Sequence, residues 1–402
     1  MSAVPPDSTA HARLVVAHSL DVWLPLTMTW AYNQLKYAEG TEALVLAGAT
    51  RNLDHFPWRP LYSSDRRLDT CMVRAGRCAG VRVVPASLRR AFREHRPAVL
   101  HSHFGYRGWA DLPLARRYRP AHVVTFYGHD VSMYPRMWPV WRRRYEELFA
   151  AVDMVLCEGP HMASSIVALG CPEGKVRVQR LGVELDRLPC RPRSLAPGAP
   201  VRVLVAAAFR PKKGIPAALE AVAAARAGGL DLRVTVIGGS NGSPGEEEER
   251  RRIEAVVRRK RLTDIVAFAG MVPYERLIAA LESHHLFLSP SATAPDGDSE
   301  GGAPVTIIEA AASGMPVVST THCDIPQVVK DGRTGLLAPE GDQEALADCL
   351  AQLAGDPGVW PGMGAAAGEL ARRDFDVRVC AAQLADAYRE AVSSVSAQGG
   401  LS

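Results

Sequence analysis

The stretch Asp296-Gly-Asp-Ser-Glu300-Gly-Gly-Ala-Pro-Val305-Thr-Ile-Ile-Glu309-Ala-Ala-Ala-Ser-Gly314-Met-Pro316-Val-Val-Ser-Thr320 decides the fold class. It reads as a glycine-rich loop, a helix, a Gly-Met-Pro stop and a β-branched strand. Leu286–Ser289, just ahead of it, is a further strand, so the unit is β–loop–α–β, the building block of parallel sheets. Glycines in the loop let backbone N–H groups come close to a phosphate. A helix starting near Pro304 aims its positive end at the same point. Glu309 lies one to two turns into that helix, where a carboxylate can accept from both hydroxyls of a ribose. The local pattern alone fits an ordinary βα loop with a surface glutamate as well.

The same alternation runs outward in both directions. Strands are expected at Leu14–His18, Ala43–Ala47, Val81–Val84, Ala98–His101, His122–Phe126, Met154–Cys157 and Val176–Gln179, with helices such as Trp30–Tyr37, Ala86–Glu94 and Pro139–Ala150 between them. Four prolines and a glycine between Leu188 and Pro200 forbid a helix or a central strand, so 188–200 reads as a linker. Strands then resume at Val201–Ala207, Arg233–Ile237, Ile265–Phe268, Leu286–Ser289, Val317–Ser319 and Gly335–Leu337. The expectation is an α/β chain of two Rossmann-like, doubly wound domains, 1–187 and 201–376, facing a central cleft. A last helix over 377–396 would pack back on the first domain.

Bulk properties agree. At 402 residues the chain exceeds the roughly 250–300 at which a single core stops growing. Apolar content of 47 % and a mean hydropathy of −0.04 exclude a disordered or membrane-embedded chain. A net charge of +4 is too small for a nucleic-acid binder. The eight cysteines form no Cys-x-x-Cys pair and read as reduced thiols. Met1–Pro6 has no basic, apolar leader, and no apolar run approaches the ~18 residues of a membrane span, so a cytoplasmic protein is expected. Glu246–Glu249 followed by Arg250–Arg252 is a solvated, ion-paired helix face. Arg89, Arg90, Arg93, Arg96 and Trp141-Arg-Arg-Arg-Tyr145 make the first half locally basic. That is either plain surface or a weak peripheral contact with anionic lipid or an acidic acceptor.

The 296–320 block, together with Asp324-Ile-Pro-Gln-Val-Val-Lys-Asp331-Gly-Arg-Thr-Gly335-Leu-Leu-Ala-Pro-Glu-Gly-Asp342, resembles the C-terminal domain of the family-4 retaining glycosyltransferases. Their two-domain arrangement is called GT-B. Phe209-Arg210-Pro-Lys212-Lys213-Gly214-Ile215 resembles that family's Lys-Gly phosphate stretch. His101-Ser-His103-Phe-Gly105 and Thr125-Phe-Tyr127-Gly128-His129-Asp130 look like its N-domain motifs. Where the family has Thr-Phe-His-Gly, this chain has Tyr127, with His129 two residues on.

The resemblance implies roles. Lys213, with Arg210, would neutralise the donor diphosphate. Glu309 would hold the ribose, and Glu300, Gly301, Gly302, Ala303, Pro304 and Val305 the transferred sugar and its phosphate. His129 and Tyr127 would assist the reaction, with Asp130 on the sugar side. From its own place at a strand end His103 would face the same side, and Thr29, at the head of the Thr-Trp-Ala-Tyr-Asn helix, would either line the diphosphate or cap that helix. No metal and no cofactor is expected, because Asp296-Gly-Asp298 belongs to the sugar loop.

The implied reaction moves a hexose from a nucleotide-sugar donor, with UDP favoured over GDP. The acceptor hydroxyl would belong to a saccharide, a lipid-linked saccharide or an aminocyclitol-like metabolite, in polysaccharide or antibiotic biosynthesis. A same-fold sugar-nucleotide epimerase or phosphorylase, or a binding protein without turnover, are the alternatives. A dehydrogenase is disfavoured, because no Gly-x-Gly-x-x-Gly follows Leu14-Val-Val-Ala-His-Ser-Leu.

Overall fold

The computed structural model describes residues 13–65, 69, 71–72 and 82–399. Two parallel sheets form its frame. The first holds β1 (Leu14–Trp23), β2 (Thr41–Thr50), β3 (Leu61–Ser63), β4 (Val99–His103), β5 (Ala121–Thr125), β6 (Met154–Cys157) and β7 (Val176–Val178) in the order β3-β2-β1-β4-β5-β6-β7. The second holds β8 (Val201–Ala206), β9 (Leu232–Ile237), β10 (Val266–Gly270), β11 (Leu286–Ser289), β12 (Val317–Thr320) and β13 (Gly335–Ala338) in the order β10-β9-β8-β11-β12-β13. Helices cover both faces, so the central strands β4, β5 and β6 are buried at every residue, the polar His101, Ser102, His103, His122 and Thr125 of β4 and β5 included.

One expected strand is absent. Arg82–Val84 has no regular structure, and the first sheet takes β3 instead, while Val81 lies outside the described residues. Three residues with one partner strand carry too little periodicity to be told from a turn.

Strand order reverses direction between β1 and β4 in one sheet and between β8 and β11 in the other. Loops leaving the two strands at such a point diverge, which opens a crevice at their carboxyl ends. The segment before Thr29 and the Phe104 turn leave the first switch point. The Arg210–Gly214 turn and the 290–304 loop leave the second.

The chain passes between the two halves twice, near 179–184 and again near 375–377, where Val183 and Asp376 form a parallel bridge. The proline-rich segment 188–200 does not hang free. Arg193 is buried in it and donates to the carbonyls of His284 and Leu281 and to Ser313 Oγ, which ties the segment to the second half. After the second pass, the helix Val377–Gly399 lies on the first half. Leu384, Tyr388 and Ala391 pack there against Val16, Val99, Val123, Met154 and Leu156. Full burial of such a side chain is worth about 1.5–3 kcal/mol, so this helix is part of the first core.

Candidate active site

Gly214 fixes the Lys212-Lys213 turn. It has φ +64°, and a Cβ there would lie 1.9 Å from the Pro290 carbonyl oxygen, so only glycine lets the turn close on the loop after β11. The turn delivers two ammonium groups. Lys213 Nζ lies 2.8 Å from the Glu300 carboxylate, which also accepts from Ser291 Oγ at 2.8 Å. Lys212 is buried and donates to Asp298 Oδ1 at 3.0 Å and to the Ser299 carbonyl at 2.9 Å. Burial pushes the Glu300 carboxyl up, but the charges of Lys213 and Lys212 and the bonds from Lys213 and Ser291 outweigh it and hold it at about 2.

Glu300 opens the glycine loop, and the two halves meet there. Gly301, at φ +77°, would place a Cβ 2.4 Å from Gly128 Cα, and Gly302 lies directly against the Glu158 carboxylate. Ala303 and Pro304 lead into the helix Val305–Ala312. On it Glu309 is only 4 % exposed and accepts a 2.8 Å bond from the Tyr274 hydroxyl. Burial lifts the Glu309 carboxyl to about 7, against the pull of Tyr274 and Arg187. Thr29, Trp30 and Asn33 from the first half face Tyr274, Val305 and Glu309 from the second across a cavity of about 260 Å³.

The N-terminal residues sort differently from expectation. His129 is partly exposed, and its ring packs on Phe104 and Tyr134, with centroids at 5.1 and 5.3 Å. Burial lowers its pKa, with the nearby charge of Asp130 opposing and those of Lys212 and Arg210 lowering it further. Tyr127 is buried. Its hydroxyl turns inward to His103 Nδ1 at 2.7 Å, and its ring lies 4.4 Å from Trp30.

His103 has no exposed surface and bonds His18 Nδ1 through its other nitrogen at 3.1 Å, so it supports the cleft floor rather than lining it. Asp130 is likewise buried. It accepts from the N–H groups of Gly105, Tyr127 and Gly128 and so clamps the turn that carries His129. Arg210 turns outward to Glu246 at 3.0 Å. His103 and Asp130 are therefore supports, because a strand's inward face and a turn's buried acceptor cannot also point into a cleft, and Arg210 is held in a surface ion pair.

His18, His101 and His103 are close enough together to hold an ion. Their nitrogens are already committed, however. His101 bonds Tyr388 and Thr125, His103 bonds His18 and Tyr127, and among the three only His18 Nε2 lacks a partner. The trio is a neutral hydrogen-bonded network, and burial depresses all three pKa values, that of His103 to about 3.

Sequence reasoning missed Tyr274, Lys212, Glu158 and Asp324. Asp324 of the second half accepts from the N–H groups of His161 and Met162 at 2.8 and 3.2 Å, and so caps the helix Pro160–Ala168 of the first. Burial raises the Glu158 carboxyl well above its usual range, as do Asp324 and Glu300 beside it. Lys212 had a signal in its place beside Lys213, and Asp324 stood at the head of the 324–342 block, whereas Tyr274 and Glu158 are placed by tertiary contacts alone.

Two family models match the chain: glycosyl transferases group 1 over residues 200–356 and glycosyltransferase family 4 over 59–187. The amylovoran biosynthesis glycosyltransferase AmsK of Erwinia amylovora is 33 % identical over 291 residues, 71 % of this chain and 68 % of that protein. WcaL of Salmonella typhimurium, assigned to colanic acid biosynthesis as a glycosyltransferase, is 34 % identical over 256 residues, 63 % of this chain. The match spans 61 % of the length of WcaL. Among solved structures, Anabaena Alr3699/HepE in complex with UDP and glucose superposes with a TM-score of 0.74 at 16 % identity, covering 94 % of this chain and 100 % of that one. At that identity the likeness is one of fold, the GT-B arrangement.

Proposed function

The chain belongs to the group 1, family 4 glycosyltransferases, and from that premise we propose that it moves a hexose from a nucleoside diphosphate to a saccharide hydroxyl with retention at the anomeric carbon. The observation that carries this reading is the Lys212–Lys213–Glu300 cluster set beside the glycine loop, with Glu309 on the helix that follows. When the C1–O bond to the diphosphate breaks, negative charge grows on the leaving oxygen. Lys213 and the start of the Val305–Ala312 helix stabilise it there without a metal ion. Glu309 accepts from the ribose hydroxyls, with Tyr274 steering its carboxylate. Trp30 and Thr29 close the cavity from the other half.

Retention follows from attack on the face the phosphate leaves. The acceptor oxygen bonds C1 as the C1–O bond breaks, and its proton passes to a phosphate oxygen. His129 stabilises the cationic sugar and holds one of its hydroxyls. UDP is the favoured nucleotide, the one held by the HepE neighbour, and a soluble nucleotide-sugar donor puts the reaction in the cytoplasm. The names of WcaL and AmsK favour a growing polysaccharide over a small metabolite as acceptor. A thermal-shift screen of nucleoside diphosphates tests the reading. It should be followed by NMR of the product's anomeric proton with saccharide acceptors. Stabilisation by UDP and an unchanged anomeric configuration support it, and inversion overturns it.

A further inference from the structure

Between residues 82 and 151 the chain carries thirteen arginines against five carboxylates, although its overall net charge is only +4. One corner of this region is unusual in a second way. The turn between the helices Met133–Met137 and Val140–Ala151 exposes Arg136 through Val140 without interruption. Three large apolar side chains lie within it, Met137 at 49 %, Trp138 at 45 % and Val140 at 50 % exposure. Arg142 and Arg143 follow, exposed, and neither makes an ion pair among the described residues. The Arg250–Arg252 run, by contrast, neutralises itself: each of the three reaches a glutamate of its own helix.

The corner adjoins the cleft. Trp138 packs edge-on to Tyr134 at 5.1 Å, and Tyr134 packs edge-on to His129 at 5.3 Å, while Arg136 lies against Gly297 of the sugar loop.

We propose that this corner is a docking site for an anionic bilayer surface, holding the cleft mouth at the membrane where a lipid-anchored acceptor would present its sugar. Aromatic and aliphatic tips flanked by unpaired cations match an interface of acyl chains beneath anionic headgroups. A second copy of the chain fits less well. The tip is a few residues wide, far short of the roughly 800 Å² per partner of a stable interface. The protein's own acidic run, Glu246–Glu249, is already paired with arginines. No helix among the described residues is long and apolar enough to cross a membrane, so the contact is peripheral.

Vesicle flotation of the full chain tests this without any turnover, so its outcome is separate from that of the transferase reading. The expected result is binding to phosphatidylcholine vesicles containing phosphatidylglycerol, little binding to phosphatidylcholine alone, and weakening by salt. Arg142→Glu with Arg143→Glu should cut the partition coefficient by at least about fivefold per position. Met137→Ser with Trp138→Ser should remove the salt-resistant part. Thermal unfolding and UDP affinity, unchanged in both variants, show that they fold. The proposal is overturned if wild type ignores the anionic vesicles or if both variants bind as it does. It is equally overturned if the corner instead drives a concentration-dependent dimer that Trp138→Ser abolishes.

Discussion

Tyr274 donates a 2.8 Å hydrogen bond to Glu309, and the bonded pair forms one wall of the cavity proposed to take the nucleoside. The carboxyl is buried, and burial lifts its pKa to about 7. In its proposed role Glu309 accepts from a ribose, so binding should favour the ionised form and release a proton near neutrality.

The affinity for UDP should therefore weaken as the pH falls below 7, by up to about tenfold per unit. Calorimetry in buffers of different ionisation enthalpy reads the released proton directly. Stability runs the other way. A carboxyl whose folded pKa is raised favours the fold at low pH, and that contribution, roughly 3 kcal/mol, is lost as the pH rises from about 4.5 through about 7. Glu309→Gln should flatten both dependences and cost roughly 1–3 kcal/mol of nucleotide binding. A flat affinity profile in wild type refutes the ribose contact.

Lys213 donates to Glu300, and in the proposed reaction it serves the diphosphate as well. Lys213→Ala should cut turnover by about 10²-fold or more, the scale of one charge-stabilising group. Activity should survive EDTA, and rescue by Mg²⁺ or Mn²⁺ after chelation would contradict this. The variant also strands Glu300. Because Glu300 is depressed to about 2, its contribution to stability is present above the usual carboxylate range and is lost as the pH falls from about 4.5 towards 2. Acid unfolding of Lys213→Ala should begin at higher pH than in wild type.

Much of this was legible in the sequence where spacing is local. The glycine loop, the helix carrying Glu309 and the Lys-Gly turn lie within short segments whose chemistry depends on neighbours a few residues away. The sequence could not show which way a side chain turns at a strand end. His101 and His103, two residues apart on β4, turn to the same buried network, where Tyr388 and Thr125 pair with His101 and Tyr127, just after β5, pairs with His103. Tyr388 belongs to the last helix, 287 residues from His101. Asp324 capping a helix more than 160 residues earlier is equally invisible to a periodicity argument.

That cap makes a prediction of its own. Asp324 is buried, and Gly159 leaves just enough room for its carboxylate at the start of the Pro160–Ala168 helix. Asp324→Ala removes a helix cap and a clamp between the halves in one change. Stability should fall by about 0.5–2 kcal/mol, the usual range for a lost cap. If the clamp also holds the cleft closed, KM for the donor should rise with kcat nearly unchanged, whereas a purely local cap would leave KM alone.

The division of labour between Tyr127 and His129 yields the sharpest test. The phenol of Tyr127 points at His103 Nδ1 and is spent on the floor of the cleft. Tyr127→Phe should leave that nitrogen buried and unpaired, which costs about 1–3 kcal/mol of stability while turnover changes little. His129 faces the charged side of the cleft, held by Phe104 and Tyr134 on a turn that Asp130 clamps. His129→Ala should lower the single-turnover rate by about 10²-fold or more at saturating donor, the usual contribution of a positioned imidazole. Burial lowers the pKa of His129, and Lys212 and Arg210 lower it further, so the ring is neutral at neutral pH and can give one hydrogen bond while accepting another. The wild-type rate should then be level near neutrality and fall as acid protonates the ring, with the inflection below the ordinary histidine value of about 6.5. That inflection should vanish in His129→Ala and persist in Tyr127→Phe. If Tyr127→Phe abolishes turnover in a stable protein while His129→Ala keeps the wild-type rate, the assisting group is the phenol, and its hydroxyl must leave His103 during the reaction.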